Sequence, residues 1–371
     1  MVRRRAGPSS GLVGVLPADK PAGPTSHDIV DAARRALGER RIGHTGTLDP
    51  FASGLLLLCI GPATRLAEYL IGLPKSYRAT ARLGEATDTL DPDGTVTRTS
   101  DAWRALPESV VRRAFEGHVG QREQRPPAYS AKKVGGERHH EKARRGEAVE
   151  AEPVRIRIHR LAVEDVDPPD VTFTLTCSSG TYVRAVARDV GEALGCGAHL
   201  TALRRTAIGP HRVDGALSLE ELNDPGRVAG AMLTPLAALA HLPRLELDAE
   251  AAAAVAHGRP VPAPEKALRG PAGPPIPPST EPFVGALGQA AHVPPGAAVT
   301  ASLAGVSDPA LLEARDPAGG GGPRGDGVAA GGATGDARHP ERIALVRAGE
   351  LVAVAELEDG MARPRKVLRG T

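Results

Sequence analysis

The stretch 41–61, "RIGHTGTLDPFASGLLLLCIG", contains a single acid, Asp49, in front of an uninterrupted apolar run. The run Leu55–Ile60 is too short for a typical helix and predicts a buried strand. Asp before Pro is common in loops, so a turn or capping role is the ordinary interpretation of Asp49. The alternative is a covalent nucleophile, because Gly43 and Gly46 let the backbone approach a ligand and the strand would hold the loop rigidly. The residues of this stretch leave both interpretations open.

Helix and strand patterns are dense on both sides of this stretch. Thr25 and Asp28 have the spacing of a capping box, and Gly38 supplies a C-terminal stop, which predicts a helix between them. Two alternating strands and a second helix are predicted further along, at "SYRATARLG" (76–84), "VTFTLTCSSG" (171–180) and "YVRAVARDVGEALG" (182–195).

The bulk composition limits the class of protein. The 371 residues favour two domains, and 46 Lys+Arg against 44 Asp+Glu give no global field typical of a nucleic-acid-binding protein. Three cysteines without a CxxC pair disfavour a disulfide framework or a zinc site and favour a reducing compartment. "MVRRRAGPSSG" lacks the apolar segment of a signal peptide, and no run approaches the roughly 20 apolar residues of a membrane span. We therefore expect a soluble, cytoplasmic protein without membrane contact.

A change of composition predicts the domain organisation. Residues 1–240 are predicted to form one domain. Residues from about 260 to 340 are rich in Pro and Gly, as in "GGGGPRGDGVAAGGATGD", and we expect this segment to be mostly disordered because it cannot bury enough apolar area. Strand patterns on both sides of it, including two alternating strands around a turn in "RIALVRAGELVAVAELEDG", predict a small β-rich domain, 241–371, that is interrupted by this insertion.

No stretch of the chain matches a known metal-binding or nucleotide-binding motif completely. "HHEKAR" has Arg144 where a HExxH motif has its second histidine. "DTLDPDG" resembles a calcium loop only superficially, with Thr89 at the first ligand position and Ser100 in place of the bidentate Glu. The chain has no Walker A motif, no strand-linked GxGxxG and no GxSxG. We expect neither a metal nor a cofactor.

Local charge suggests a contact with nucleic-acid phosphates. The stretch 121–145, "QREQRPPAYSAKKVGGERHHEKARR", has eight Lys/Arg against three Glu and includes Tyr129. A solvated charged face is the ordinary interpretation, but its Pro and Gly residues also suit a loop-rich arm that contacts phosphates. Arg184 by itself would be an exposed helical arginine, and Tyr77 by itself a half-buried strand residue.

Six separated motifs in residues 12–222 narrow these alternatives. They are "GHTGTLDPFASGLL", "KSYRATARLG", "TDTLDPDG", "PPAYSAKKVGG", "SSGTYVRAVARDVG" and "GCGAHLTALRRT". Together and in this order they resemble the bacterial tRNA pseudouridine synthases of the TruB type. The resemblance implies an α+β pseudouridine-synthase fold with a mixed, largely antiparallel sheet and a central cleft. Through "LPRLELD" and "ALVRAGELVAVAE" the tail resembles that family's PUA domain, a small RNA-binding β-barrel.

The resemblance also assigns three catalytic residues. The Asp of the "GxLDPxAxG" motif is the family's nucleophile and corresponds to Asp49. Arg184 of "GTYxR" is its ionic partner, and Tyr77 of the "YR" strand lies over the uracil as the candidate that removes the C5 proton. Since burial raises and a nearby guanidinium lowers a carboxyl pKa, we expect Arg184 to outweigh desolvation and keep Asp49 ionised.

Substrate-binding roles follow from the same resemblance. Tyr77 shares this role with five further residues. His44 is expected to pack against the everted base, Tyr182 to lie at the uridine site and Leu203 to form the apolar wall. Lys20, in the "DKP" segment, is expected to brace the catalytic loop, and Lys132 of the basic arm (121–150) to contact the substrate.

The implied activity is conversion of uridine to pseudouridine at position 55 in the T loop of tRNA, by base flipping without a cofactor. The implied partner is the T arm of tRNA, without a guide RNA or an obligatory protein partner, and we expect a monomer. A non-catalytic tRNA-binding or folding chaperone and a guide-RNA-dependent synthase are the alternatives. Two departures concern RNA contact rather than chemistry: His140 stands where the family has Tyr, and the insertion is atypical.

Overall fold

Two β-sheets organise the part of the chain that the computed structural model describes, residues 10–127, 133–134, 137–138, 152–270 and 341–368. All of these residues belong to one compact unit. Tyr129, Lys132, His140 and residues 271–340 of the predicted insertion lie outside them. No helix within the described ranges is long and apolar enough to cross a membrane.

The strands are β1 (Gly14–Lys20), β2 (Ile42–His44), β3 (Ser53–Ile60), β4 (Lys75–Leu83), β5 (Glu85–Thr87), β6 (Val96–Thr99), β7 (Gly120–Gln124), β8 (Lys133–Val134), β9 (Glu137–Arg138), β10 (Val154–Asp167), β11 (Asp170–Cys177), β12 (Ala198–Ile208), β13 (His211–Arg212), β14 (Arg244–Glu246), β15 (Val261–Pro262), β16 (Leu268–Arg269), β17 (Glu341–Arg347), β18 (Glu350–Glu358) and β19 (Met361–Val367). The α-helices are α1 (Ser26–Leu37), α2 (Ala67–Ile71), α3 (Glu108–Glu116), α4 (Val183–Ala193), α5 (Pro225–Ala231), α6 (Pro235–Ala238) and α7 (Ala249–Ala256). Short 3-10 turns lie at Gly61–Leu66, Ala102–Ala105, Glu221–Asn223 and Glu265–Ala267.

The larger sheet has nine strands and the order β1-β3-β12-β4-β11-β10-β7, with β2 on β3 and β13 on β12. Its β3–β12 pair is parallel and its other pairs are antiparallel, which confirms the predicted mixed, largely antiparallel sheet. Gly54 makes the parallel pair possible. A Cβ there would lie 2.2 Å from the Arg205 carbonyl oxygen, and the φ of +106° also favours glycine.

The helices cover the sheet through their apolar faces. The capping box predicted for α1 is present, with Thr25 and Asp28 bonded reciprocally, and Gly38 ends the helix in the left-handed conformation. Residues Ile29 and Ala33 of α1 pack against alternate residues of β1 and β3. The core under α3 and α4 is a separate cluster on β4, β10, β11 and β12. The strands of the sheet therefore position loops at their ends, including the loop that carries Asp49.

The second sheet has six strands in the order β15-β19-β18-β17-β14-β16. Strand β17 was predicted to alternate, but Ile343–Val346 are all buried. Ile343 and Leu345 face the interior of this sheet, whereas Ala344 and Val346 join a cluster with β1 and β3. Both faces of the strand are covered, which removes the alternation.

Two predicted boundaries differ from the structure. Residues 261–270, which were expected within the disordered insertion, form β15, β16 and a 3-10 turn of the second sheet, so that part of the prediction was wrong. At the predicted start of the basic arm, 121–124 belong to β7, paired with β10 at the edge of the larger sheet. Most of the remaining arm lies outside the described residues.

Candidate active site

The loop that carries Asp49 is anchored on both sides of that residue. It connects β2 to β3, two strands that pair with each other, so it leaves the sheet and returns at nearly the same place. Before Asp49, the Leu48 amide donates to Ser26 Oγ (2.8 Å), and that hydroxyl donates to the Leu48 carbonyl (3.1 Å). The start of α1 therefore fixes the backbone beside the carboxylate.

Lys20 fixes the other side of the loop. Its ammonium is fully buried and donates to the carbonyl oxygens of Pro21 (2.9 Å), Pro50 (3.1 Å) and Ala52 (2.5 Å). Burial lowers the pKa of Lys20 to about 8, and the nearby Asp49 carboxylate opposes that shift. The contacts are those of a brace, in the place where the resemblance led us to expect one.

Asp49 and Arg184 form a two-point ion pair. Arg184 is the second residue of α4, and its Nε and Nη2 lie 2.9 and 3.2 Å from the two Asp49 carboxylate oxygens. The Arg184 side chain is 6% exposed, whereas that of Asp49 is 35% exposed. The paired geometry orients the carboxylate and leaves it accessible to a substrate.

Asp91 is a third member of this network, and the sequence analysis missed it. Its Oδ2 lies 3.0 Å from Arg184 Nη1, which also donates to the Thr89 carbonyl at 2.7 Å. The available signal was a repeat: "TLDP" occurs at 47–50 and again at 89–92, and both aspartates meet the same guanidinium. We considered the second copy as a calcium loop and as one of the six motifs, without a role for Asp91.

The electrostatic balance differs from the one expected. The pKa of Asp49 is raised above its ordinary value because burial outweighs the attraction of Arg184, and the charge of Asp91 raises it further. The expectation that the guanidinium would outweigh desolvation was therefore wrong. Arg184 is shared between two carboxylates, so it stabilises the ionised form of Asp49 less than an undivided partner would.

Tyr77 and Leu203 line the interior next to the loop. Both belong to the hydrophobic cluster that includes Leu48 and Ala52, the residues on either side of the Asp49–Pro50 turn. Burial raises the pKa of Tyr77 to about 12, and the charge of Asp49 contributes in the same direction. The hydroxyl is therefore protonated near neutral pH in the unliganded protein.

His44 stands where β2 meets the Asp49 loop, and Tyr182 stands where α4, the helix of Arg184, begins. His44 ends β2, and its Nδ1 accepts from the Gly46 amide at 3.3 Å, which leaves Nε2 as the donor nitrogen. Burial lowers the pKa of His44, so the neutral ring is favoured. Tyr182 precedes α4, and its backbone is held by both ends of the Gln124 amide, at 2.9 and 3.1 Å. Gln124 was not predicted to contribute.

The predicted residues thus converge in part. Asp49 and Arg184 touch, Tyr77 and Leu203 share the adjoining core, and Lys20 braces the loop. Lys132 lies outside the described residues. Within the part of the chain that the structure describes, no three His, Cys, Asp or Glu side chains are placed to share a metal ion.

Comparison with known proteins assigns a family. The chain matches the model of the TruB family pseudouridylate synthase N-terminal domain over residues 34–183 and that of the tRNA pseudouridylate synthase B C-terminal domain over 184–239. It is 47% identical over 250 residues to tRNA pseudouridine synthase B of Geobacter sulfurreducens, covering 67% of this chain and 82% of that protein. The Arthrobacter protein of the same name is 46% identical over 254 residues, with the same coverage.

Solved structures agree on the fold. An H/ACA RNP bound to a substrate RNA containing 2'-deoxyuridine superposes with a TM-score of 0.61 at 21% identity, covering 96% of this chain and 86% of that chain. The archaeal box H/ACA Nop10–Cbf5 complex gives 0.60 at 22% identity, with the same coverage. At such identities the likeness concerns the fold alone, and the family follows from the sequence matches: the chain belongs to the TruB family of pseudouridylate synthases.

Proposed function

We propose that this protein isomerises uridine to pseudouridine at position 55 in the T loop of tRNA, with Asp49 as the nucleophile and no cofactor. One observation supports this most directly. In a chain of this family, a partly exposed carboxylate on a rigid loop is held at two points by a buried guanidinium. The relatives of this chain are named tRNA pseudouridine synthase B, which supports tRNA as the substrate.

The chemistry begins with eversion of the uridine, which costs a few kcal/mol that contacts to the RNA must offset. The ionised Asp49 then attacks either C6 of the base or C1′ of the ribose. The N1–C1′ bond breaks, the uracil turns within the site, C5 forms the new bond to C1′, and the bond to Asp49 breaks so that the carboxylate is released. The C5 proton leaves and N1 gains one, so the product is an isomer of the substrate.

The neighbouring side chains would orient the base during this rotation. Tyr77 would stack on the uracil and help remove the C5 proton; because its hydroxyl is protonated, it would have to pass its own proton to another acceptor as it takes that one. Because His44 Nδ1 accepts from the Gly46 amide, its Nε2–H would donate to the nucleoside, and Leu203 would supply an apolar wall. Tyr182 would contact the uridine from the start of α4. Lys20 would act indirectly, through the backbone of the Asp49 loop.

Binding of the tRNA would extend beyond the site. We assign residues 1–240 to a catalytic domain whose cleft receives the T arm, and 241–371 to an RNA-binding domain of the PUA type that uses the second sheet. Proteins that recognise RNA specifically bind mostly to single-stranded loops, and the T loop of tRNA is a loop of this kind. We expect the protein to act as a monomer, without a guide RNA.

The test is incubation of the purified protein with an unmodified tRNA transcript and no guide RNA, followed by mapping of pseudouridine. The wild type should modify position 55. Asp49→Asn and Asp49→Ala should bind tRNA normally but form no product, because an amide or a methyl group is not a nucleophile. Turnover near the wild-type rate by Asp49→Asn would refute the nucleophile. Binding without modification by the wild type would instead indicate a non-catalytic RNA-binding protein.

A further inference from the structure

A second buried guanidinium, that of Arg205, lies behind the Asp49 loop. Arg205 is 1% exposed and is the largest fully buried side chain among the described residues. In the larger sheet its backbone pairs with Tyr77 of β4 on one side and with Gly54 of β3 on the other. The strand registers therefore place Arg205 between the strand that follows the nucleophile and the strand that carries the tyrosine.

The guanidinium of Arg205 bonds to both ends of the nucleophile loop. Its Nη2 donates to the Gly46 carbonyl at 3.1 Å, and its Nη1 points to the Thr47 carbonyl at 3.4 Å. Its Nε donates to the Leu55 carbonyl at 2.8 Å, beyond Asp49. The planar fork of arginine places separate donor nitrogens toward carbonyls of both segments, a geometry that the single nitrogen of a lysine ammonium does not reproduce.

The charge of the same guanidinium also acts on Tyr77, whose pKa it lowers against the larger effect of burial, and the two residues are backbone partners in adjacent strands. Arg205 is therefore bonded to the Asp49 loop and lies on the strand next to the residue that would help remove the C5 proton. A buried cation costs desolvation free energy that an apolar side chain would avoid. Packing alone does not account for an arginine at this position, whereas a need to fix two reacting groups relative to each other does.

We propose that Arg205 is a positioning residue for pseudouridine formation, which holds the Asp49 loop against the strand that carries Tyr77 so that both residues act on one nucleoside. This inference rests on the proposed function. Arg205 lies behind the loop, and its effect on the substrate passes through Asp49 and Tyr77.

The test compares Arg205→Met and Arg205→Lys with Arg204→Met. Arg204 is the adjacent residue, but its side chain is 42% exposed and pairs with Asp19 at 2.7 Å, so it controls for loss of an arginine from β12. Single-turnover rates are measured with enzyme in saturating excess over tRNA. Under these conditions partial unfolding does not change the rate constant, so a merely structural role would leave it unaltered.

Arg205→Met should lower this rate constant about 100-fold or more while changing the Kd for tRNA less than about threefold, because small displacements of reacting groups have effects of this size. Arg205→Lys should lose about tenfold, since it keeps the charge without the fork. Arg204→Met should behave as the wild type. Rate constants within about threefold of the wild type for whichever Arg205 variants fold would overturn the proposal.

A measurement without RNA separates this inference from the proposed function. The Arg205 charge contributes to the lowered pKa of His44, together with burial and His27. In histidine NMR titrations, with His44→Gln identifying the signal, Arg205→Met should raise the pKa of His44 and Arg204→Met should not. An unchanged His44 titration would contradict the contact with the loop. A wild type that forms no pseudouridine would instead refute the proposed function.

Discussion

Replacement of Asp91 by Asn tests whether the shared guanidinium controls the reactivity of Asp49, the proposed nucleophile. Asp91 Oδ2 lies 3.0 Å from Arg184 Nη1, while its Oδ1 accepts from Thr89 Oγ1 (2.5 Å) and from the Asp93 amide (3.2 Å). An asparagine has only one acceptor oxygen, so its NH2 group must face donors on one side. The charge-assisted bond to Arg184 would be lost, and such bonds contribute about 1.5–3 kcal/mol net. If that energy orients Arg184 in the transition state, the rate constant should fall about 10- to 150-fold.

The pH dependence of the same variant should move in a defined direction. The charge of Asp91 raises the pKa of Asp49, so its removal should lower that pKa. Since the ionised carboxylate is the reactive form, the acidic limb of the single-turnover pH–rate profile should shift to lower pH even though the plateau falls. Asp93→Asn, an exposed neighbour in the same turn, is the matched control. A full plateau rate with an unmoved acidic limb would refute the reasoning.

Two further predictions concern stability. Gly54→Ala should destabilise the fold by about 3 kcal/mol or more, because its Cβ would lie 2.2 Å from the Arg205 carbonyl oxygen and its φ is +106°, whereas Gly72→Ala, in open space at φ −71°, should change stability by less than about 1 kcal/mol. Equal melting temperatures of the Gly54→Ala and Gly72→Ala proteins would contradict this prediction. Burial lowers the pKa of Lys75 from 10.5 to about 8, so between these pH values the unfolded chain binds more protons and stability rises with pH. In urea unfolding between these pH values, the free energy of unfolding of the wild type should therefore rise relative to that of Lys75→Met, by up to about 1.4 kcal/mol per pH unit. The same pH dependence in both proteins would count against this prediction.

Local elements were predictable because their determinants are adjacent in the chain. The capping box of Thr25 and Asp28 and the stop at Gly38 define α1 without reference to the rest of the fold. In β4 and β11 buried and more exposed residues alternate because one face of each strand is covered. Successive side chains point to opposite faces of a strand, so this alternation is visible in the order of the residues. Strand β17 was predicted as a strand but with the wrong burial pattern, since the cluster on its second face comes from residues of β1 and β3.

The amino-acid sequence by itself determined helices α1 and α4, strands such as β3, β4 and β11, the family and Asp49 as the candidate nucleophile, because each of these depends on short motifs. The tertiary structure alone decided that Asp49 and Asp91, 135 and 93 positions from Arg184, share its guanidinium and that the pKa of Asp49 is raised. It also decided that Arg205 bonds to the Asp49 loop from the strand next to Tyr77. The physical reason is that electrostatic balance depends on burial and on distances between charges, and both arise only when strands from distant parts of the chain are brought side by side.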